Sequence, residues 1–259
     1  MRIDAKTIAA PSRELLLLEM RAIWEFGAFF ASLPWLRTAP RGDGHPVLVL
    51  PGLLASDIST LPMRTYLADL GYAVHGWEQG RNAGPREGVE EKMLERLRHL
   101  TRRHGRRLSL VGWSLGGNYA RRLARKSPED VRLVISMGSP FTGNPRATNV
   151  WRLFEMVSGK KVDDVGSSGA TPPLSVPVTS IYSRSDGIVA WQNCIEREGP
   201  RAENIEVEGS HSGLGHNPAA LYAVADRLAQ PEGEWQPFDR GKMPGRIFPD
   251  PRRDQQQRP

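Results

Sequence analysis

The sequence predicts an α/β protein in which a mostly parallel central sheet is flanked by helices. Three observations carry that prediction. Short apolar runs rich in Val, Ile and Leu recur along the chain, and longer amphipathic runs separate them. Strands alternating with helices in this way argue for a parallel sheet covered on both faces. With 259 residues, 39% of them hydrophobic, the chain can build one such domain with additional terminal segments.

The elements follow in order. PVLVLPG (46–52) reads as a buried strand ending at a turn, MRTYLADLG (63–71) as a helix stopped by Gly71, and YAVHGW (72–77) as a second strand. PREGVEEKMLERLRHLTRRHG (85–105) reads as a long helix opening with proline and acids and closing with bases and glycine. Val89, Met93, Leu97 and Leu100 form its apolar stripe. RLSLVGW (107–113) is a third strand, followed by a helix after Ser114. VRLVISMGSP (131–140), VPVTSIYS (176–183) and NIEVEG (204–209) are the fourth, fifth and sixth strands. NPAALYAVADRLAQ (217–230) is a final helix with Asn217 as cap. Residues 139–175 are too long for a simple connection and read as a small insertion or cap after the fourth strand. Residues 231–259, rich in Pro, Arg and Gln, read as an extended or disordered tail pinned near Trp235 and Phe238. The core domain is then 45–230, preceded by a helical segment within 1–44.

That segment contains SRELLLLEMRAIWEFGAFFASLPWL (12–36). Arg13, Glu14, Glu19, Arg21 and Glu25 interrupt it, so it matches neither a membrane-spanning helix nor a signal peptide. The pattern predicts an amphipathic helix over 12–32, packed on the domain with its aromatic end near the mouth of the site. The alternative is contact with a lipid surface. Cys194 is the single cysteine, which rules out an internal disulfide and suits a reducing compartment. The expectation is a cytoplasmic protein, with membrane association through 12–36 as the variant. The net charge of +6 comes mainly from dispersed arginines, with no nucleic-acid motif, so no nucleic-acid partner is expected.

The chemistry starts at LVGWSLGGNYARRLARK (110–126). Gly112, Ser114 and Gly116 fit G-x-S-x-G between a strand and a helix, the context of a turn that lifts a serine Oγ clear of its backbone. A serine hydroxyl needs a histidine base, and the base needs an acid to hold its tautomer. Asp186 follows the fifth strand in YSRSDGIVAW (182–191). His211 and His216 both follow the sixth in VEGSHSGLGHNP (207–218), and chemistry alone leaves the two open. Backbone N–H groups of Leu115, after the serine, and of Leu53, in LVLPGLLASD (48–57), are the candidate donors to a developing oxyanion.

On these residues the chain resembles the α/β-hydrolase superfamily over roughly 45–230, and within it compact bacterial lipases and esterases. VLVLPGLLAS resembles their early oxyanion strand and loop, VGWSLGG their elbow, IYSRSDGIV their acid segment and GSHSGLGHNP their histidine segment. Pro51 stands where many members carry histidine. The resemblance implies the α/β-hydrolase fold and assigns the base to His211. It further implies a catalytic set of Ser114, Asp186 and His211, an oxyanion hole at Leu53 and Leu115, and cleavage of a small-molecule ester without metal or organic cofactor. The same residues would serve an acyltransferase, thioesterase or perhydrolase, and the fold alone would serve a catalytically silent binding protein.

Overall fold

The computed structural model describes residues 7–165, 172–243, 247–251 and 253. Parts of the expected leading segment (1–6), insertion (166–171) and tail (244–246, 252 and 254–259) lie outside them.

Three helical pieces open the described chain: α1 (Arg13–Leu18), α2 (Ala22–Ala31) and α3 (Leu33–Leu36), with a 3₁₀ turn at Glu19–Arg21 between the first two. The expected single helix over 12–32 is therefore broken at Glu19–Arg21. Ser12 caps α1 by accepting the Leu15 N–H. Then follow β1 (Pro46–Leu50), α4 (Leu61–Asp69), β2 (Ala73–His75), α5 (Val89–His104), β3 (Leu108–Trp113), α6 (Leu115–Lys126) and β4 (Val131–Met137). After them come α7 (Trp151–Ser158), α8 (Val162–Val165), β5 (Val178–Tyr182), β6 (Ala202–Glu206) and α9 (Pro218–Leu228). The strands form one sheet in the order β2-β1-β3-β4-β5-β6. Every pairing between them is parallel.

Both faces of this sheet are covered, and β1, β3, β4 and β5 are buried along nearly their whole length. In β1, Val47 and Val49 join one core with Met63 and Leu67 of α4 and Leu221 and Val224 of α9. Leu48 and Leu50 point the other way, into a core with Met93, Leu97 and Leu100 of α5 and Leu123 of α6. α5 starts at Val89, after Gly88 in the left-handed conformation, and ends before Gly105 in the same conformation. The expected insertion after the fourth strand holds α7 and α8. In the tail, Phe238 and Phe248 are buried in the first core and Trp235 is half-buried. Arg253 donates to the buried Glu206 carboxylate at 2.6 Å.

The segment before the sheet is only partly absorbed. Phe29 and Leu36 are buried, but Leu17, Met20, Ile23 and Trp24 are 71%, 72%, 72% and 81% exposed. The reason is geometric: short helices broken by a 3₁₀ turn present one edge to the domain, and much of that contact is polar. No helix among the described residues is long and apolar enough to cross a membrane.

Candidate functional site

The carboxyl ends of parallel strands lie at one edge of the sheet, where the chain leaves strand geometry and side chains converge. β3 delivers Ser114 there. The residue sits at φ +54°, ψ −123° between strand and helix, a conformation that costs a non-glycine residue roughly 1–3 kcal/mol. The surroundings hold it. Ser114 N–H donates to the Met137 carbonyl at the end of β4 at 2.7 Å, and Gly117 N–H closes the turn onto the Ser114 carbonyl at 3.0 Å. Gly116 makes the tight approach feasible, since a Cβ there would lie 2.1 Å from the Leu50 carbonyl oxygen.

β5 and β6 supply the other two groups. Asp186 lies in the loop after β5 and is 3% exposed, and His211 lies in the loop after β6 and is 5% exposed. His211 Nε2 is 2.9 Å from Ser114 Oγ, and His211 Nδ1 is 2.6 Å from Asp186 Oδ2. The second Asp186 oxygen accepts the N–H groups of Ile188 and Val189 at 2.8 and 2.7 Å, which fixes the carboxylate plane. Burial lowers the pKa of His211, but the charge and hydrogen bond of Asp186, with the charge of Glu19, outweigh it and raise the value above its usual 6.5. Trp113 Nε1–H donates to the His211 carbonyl at 3.1 Å, tying the end of β3 to the histidine loop.

His216 faces elsewhere. Its Nε2 bonds the Ala22 carbonyl of α2 at 3.1 Å, and its ring meets Phe26 edge-on with centroids 5.2 Å apart. Burial lowers its pKa. Of the two histidines the sequence leaves open, only His211 is within hydrogen-bond reach of Ser114 in this arrangement.

The loop after β1 runs alongside the serine. A methyl group built at Gly52 would lie 3.2 Å from Ser114 Cβ and 3.8 Å from its Oγ. Asn82 stitches this loop. It exchanges backbone hydrogen bonds with Leu54 and Ala55 and donates from Nδ2 to the Pro51 carbonyl at 2.8 Å, fully buried. Leu115 is the first residue of α6, so its N–H belongs to the free donors at the positive end of that helix. Cys194 is buried, and burial pushes its thiol pKa well up, with Asp186 adding to the rise. No cluster of three or more metal-ligating side chains occurs among the described residues.

Sequence reasoning missed two sets of residues here. Asn82 carries no motif, and its role depends on a loop that packs against another loop. Glu19, Arg21 and Glu25 reach the Asp186 and His211 loops from the leading segment. The one signal for them was the charge that interrupts an otherwise apolar run.

No protein-family model matches the chain, and no curated protein matches it by sequence. Solved structures do. Lipase B of Aspergillus fumigatus is 17% identical with a TM-score of 0.58, covering 80% of this chain and 59% of its own. A probable hydrolytic enzyme of Pseudomonas aeruginosa PAO1 is 16% identical with a TM-score of 0.55, covering 74% and 88%. A lipase of Bacillus licheniformis in its mature form is 14% identical with a TM-score of 0.54, covering 75% and 95%. At these identities the likeness is one of fold.

Proposed function

Because the chain has the α/β-hydrolase fold, we propose that it is a serine hydrolase that cleaves carboxylic esters through an acyl-enzyme. The observation that carries this reading is the unbroken line of contacts from Ser114 Oγ to His211 Nε2 and from His211 Nδ1 to Asp186 Oδ2. In it, Ser114 Oγ attacks the ester carbonyl carbon while His211 Nε2 takes the hydroxyl proton. The carbonyl oxygen becomes an oxyanion, received by the N–H groups of Leu53 and Leu115 and by the positive end of α6. Collapse of this intermediate breaks the bond to the alcohol oxygen, which leaves with the proton from His211. Water then gives a proton to His211 and attacks the acyl-enzyme. The acid departs and Ser114 recovers its proton. Asp186 stays ionised, holding Nδ1 as the protonated nitrogen so that Nε2 is the base.

The test is labelling with a fluorophosphonate, followed by hydrolysis of nitrophenyl esters of graded acyl length. The expected result is one phosphonyl group on Ser114 and turnover of at least one ester series. A folded chain that neither labels at Ser114 nor turns over any ester would overturn the reading.

A further inference from the structure

His211 and Asp186 sit on two separate loops after two neighbouring strands. Neither loop is helix or strand at the functional residue; Ser183 ties one to the other, donating to the Gly209 carbonyl at 2.7 Å and accepting the Gly209 N–H at 3.2 Å, and a further hold comes from a source outside them. That source is visible in the leading segment. Glu19 Oε1 accepts the N–H of Gly187, next to Asp186, and the N–H of His211 itself, both at 2.8 Å. Its Oε2 accepts the N–H of Ser212 at 2.9 Å. One carboxylate thus spans the acid loop and the histidine loop.

Two neighbours extend the grip. Arg21 Nη2 donates to the Ser185 carbonyl and hydroxyl, each at 2.8 Å. Glu25 accepts the Ser210 N–H at 2.9 Å and pairs with Arg21 at 3.2 Å. The residues on both sides of Asp186 and both sides of His211 are therefore held by the same short stretch. The loops are shaped to receive it. A Cβ at Gly187 would lie 2.2 Å from the Leu15 carbonyl oxygen, and one at Gly213 would lie 1.6 Å from Glu25 Oε2. The helical break at Glu19–Arg21 falls at the clamp itself.

We propose that Glu19 is a positioning residue that sets the alignment of His211 by bridging its backbone to the loop of Asp186. This rests on the serine hydrolase reading for its effect on activity, but the geometry of the clamp does not. Burial raises the pKa of Glu19, and the N–H donors of Ser212, Gly187 and His211 more than reverse this, so the group is lowered and ionised at neutral pH. Its charge adds to that of Asp186 in raising His211. Glu25 and Arg21 face the same two loops through Ser210 and Ser185, Glu208 reaches Ser185 Oγ at 3.3 Å, and His216 lies on the histidine loop with its ring turned to α2.

The experiment compares the full chain with Glu19→Gln, and with Glu14→Gln as the exposed carboxylate of the same segment. Gln keeps the length of Glu but loses the charge and one acceptor. Three readouts are taken: thermal melting, the NMR titration of His211 (assigned by its loss in His211→Gln) and the rate of fluorophosphonate labelling. In Glu19→Gln, His211 is expected to titrate at lower pH, and labelling at neutral pH is expected to slow by on the order of 10- to 100-fold, the scale of a small misalignment. Ester turnover should fall in kcat more than it changes KM. Glu14→Gln should match the wild type in all three.

A folded Glu19→Gln whose His211 titration and labelling rate both match the wild type overturns the proposal. A wild type that never labels, yet shows the titration shift, sinks the hydrolase reading and leaves the clamp standing. If Glu19→Gln does not fold, amide exchange in the wild type decides. Slow exchange at Gly187, His211 and Ser212 supports the clamp, and exchange at the rate of open loops there overturns it.

Discussion

Ser114 and His211 are 2.9 Å apart and are held by opposite means. The serine is fixed by its own neighbourhood: a strained φ of +54°, a strand on one side, a helix on the other, and β4 receiving its N–H. The histidine lies in a loop without regular structure, its N–H held by Glu19, 192 residues away in sequence, and its carbonyl by the Trp113 side chain. Hydrogen bonds to charged groups contribute about 1.5–3 kcal/mol each, enough to order a loop but open to loss through one side chain. The elbow has no such single point of release, since breaking it means moving β3, β4 or α6. Ser114 is thus as rigid as the sheet, whereas His211 depends on contacts from the leading segment and on one side chain at the end of β3.

The largest effect tests whether these two differently held groups act as one unit. Ser114→Ala and His211→Ala should each lower kcat by on the order of 10⁴–10⁶, and the double variant should lose little more than either single one. Steady-state kinetics on a nitrophenyl ester, with folding checked by circular dichroism, measures this. Additive losses would mean that the two groups work separately, against the reading of a shared mechanism.

The next effect depends on the base alone. Only neutral imidazole can accept the serine proton, so activity must rise with pH as His211 deprotonates. Because Asp186 and Glu19 raise His211 above 6.5, the midpoint of the acid limb of kcat/KM should lie above 6.5, with activity falling about tenfold per pH unit well below it. A limb centred below 6.5, or a flat profile from pH 5 to 9 with chemistry limiting, would contradict this assignment.

The two anchoring modes also explain what the sequence makes legible. A strand, a G-x-S-x-G turn and a helix lie within residues 108–126, so local pattern is enough to find Ser114. The parallel sheet follows from buried apolar runs alternating with amphipathic ones, and Asp186 and His211 stand out as candidates by their places after the fifth and sixth strands, whereas the strand order had to come from the structure. Their separation from His216 took family resemblance, because both histidines occupy the same loop and only the fold decides which ring turns toward Ser114. Glu19, Arg21, Glu25 and Asn82 were not legible as parts of the site. Their partners are backbone groups, which carry no side-chain signature, at sequence distances that only the packed chain reveals. The break of the expected 12–32 helix was hidden for the same reason, since its polar contacts lie on other loops.

A smaller effect is expected at His216. Its Nε2–H bonds the Ala22 carbonyl, and the cap of α9 is supplied by Asn217, which accepts the Ala220 N–H at 3.0 Å. His216→Ala removes one hydrogen bond and a ring contact with Phe26 but leaves the line from Ser114 to Asp186 intact. The expected loss is about 0.5–1.5 kcal/mol in stability, with kcat lowered less than about tenfold. Melting curves and kinetics at one pH suffice. A loss as large as that of His211→Ala would reverse the roles of the two histidines.

The smallest effect sharpens the comparison by separating the two edges of the leading segment. Its polar edge grips the loops through Glu19, Arg21 and Glu25, while Ile23 and Trp24 stand 72% and 81% exposed on α2. If the outward edge meets the apolar part of a long-chain substrate, replacing both with serine should leave phosphonate labelling of Ser114 unchanged, because the clamp is untouched. The ratio of long-chain to short-chain ester hydrolysis should then fall. Covering about 60 Å² of apolar surface contributes about 1.5 kcal/mol at ~25 cal/mol per Å², so the ratio should drop by up to roughly tenfold. An unchanged ratio would confine the outward edge to a role away from substrate. A loss of labelling would show that the apolar edge also supports the clamp, and the division between an edge that positions the base and an edge that meets the substrate would fail.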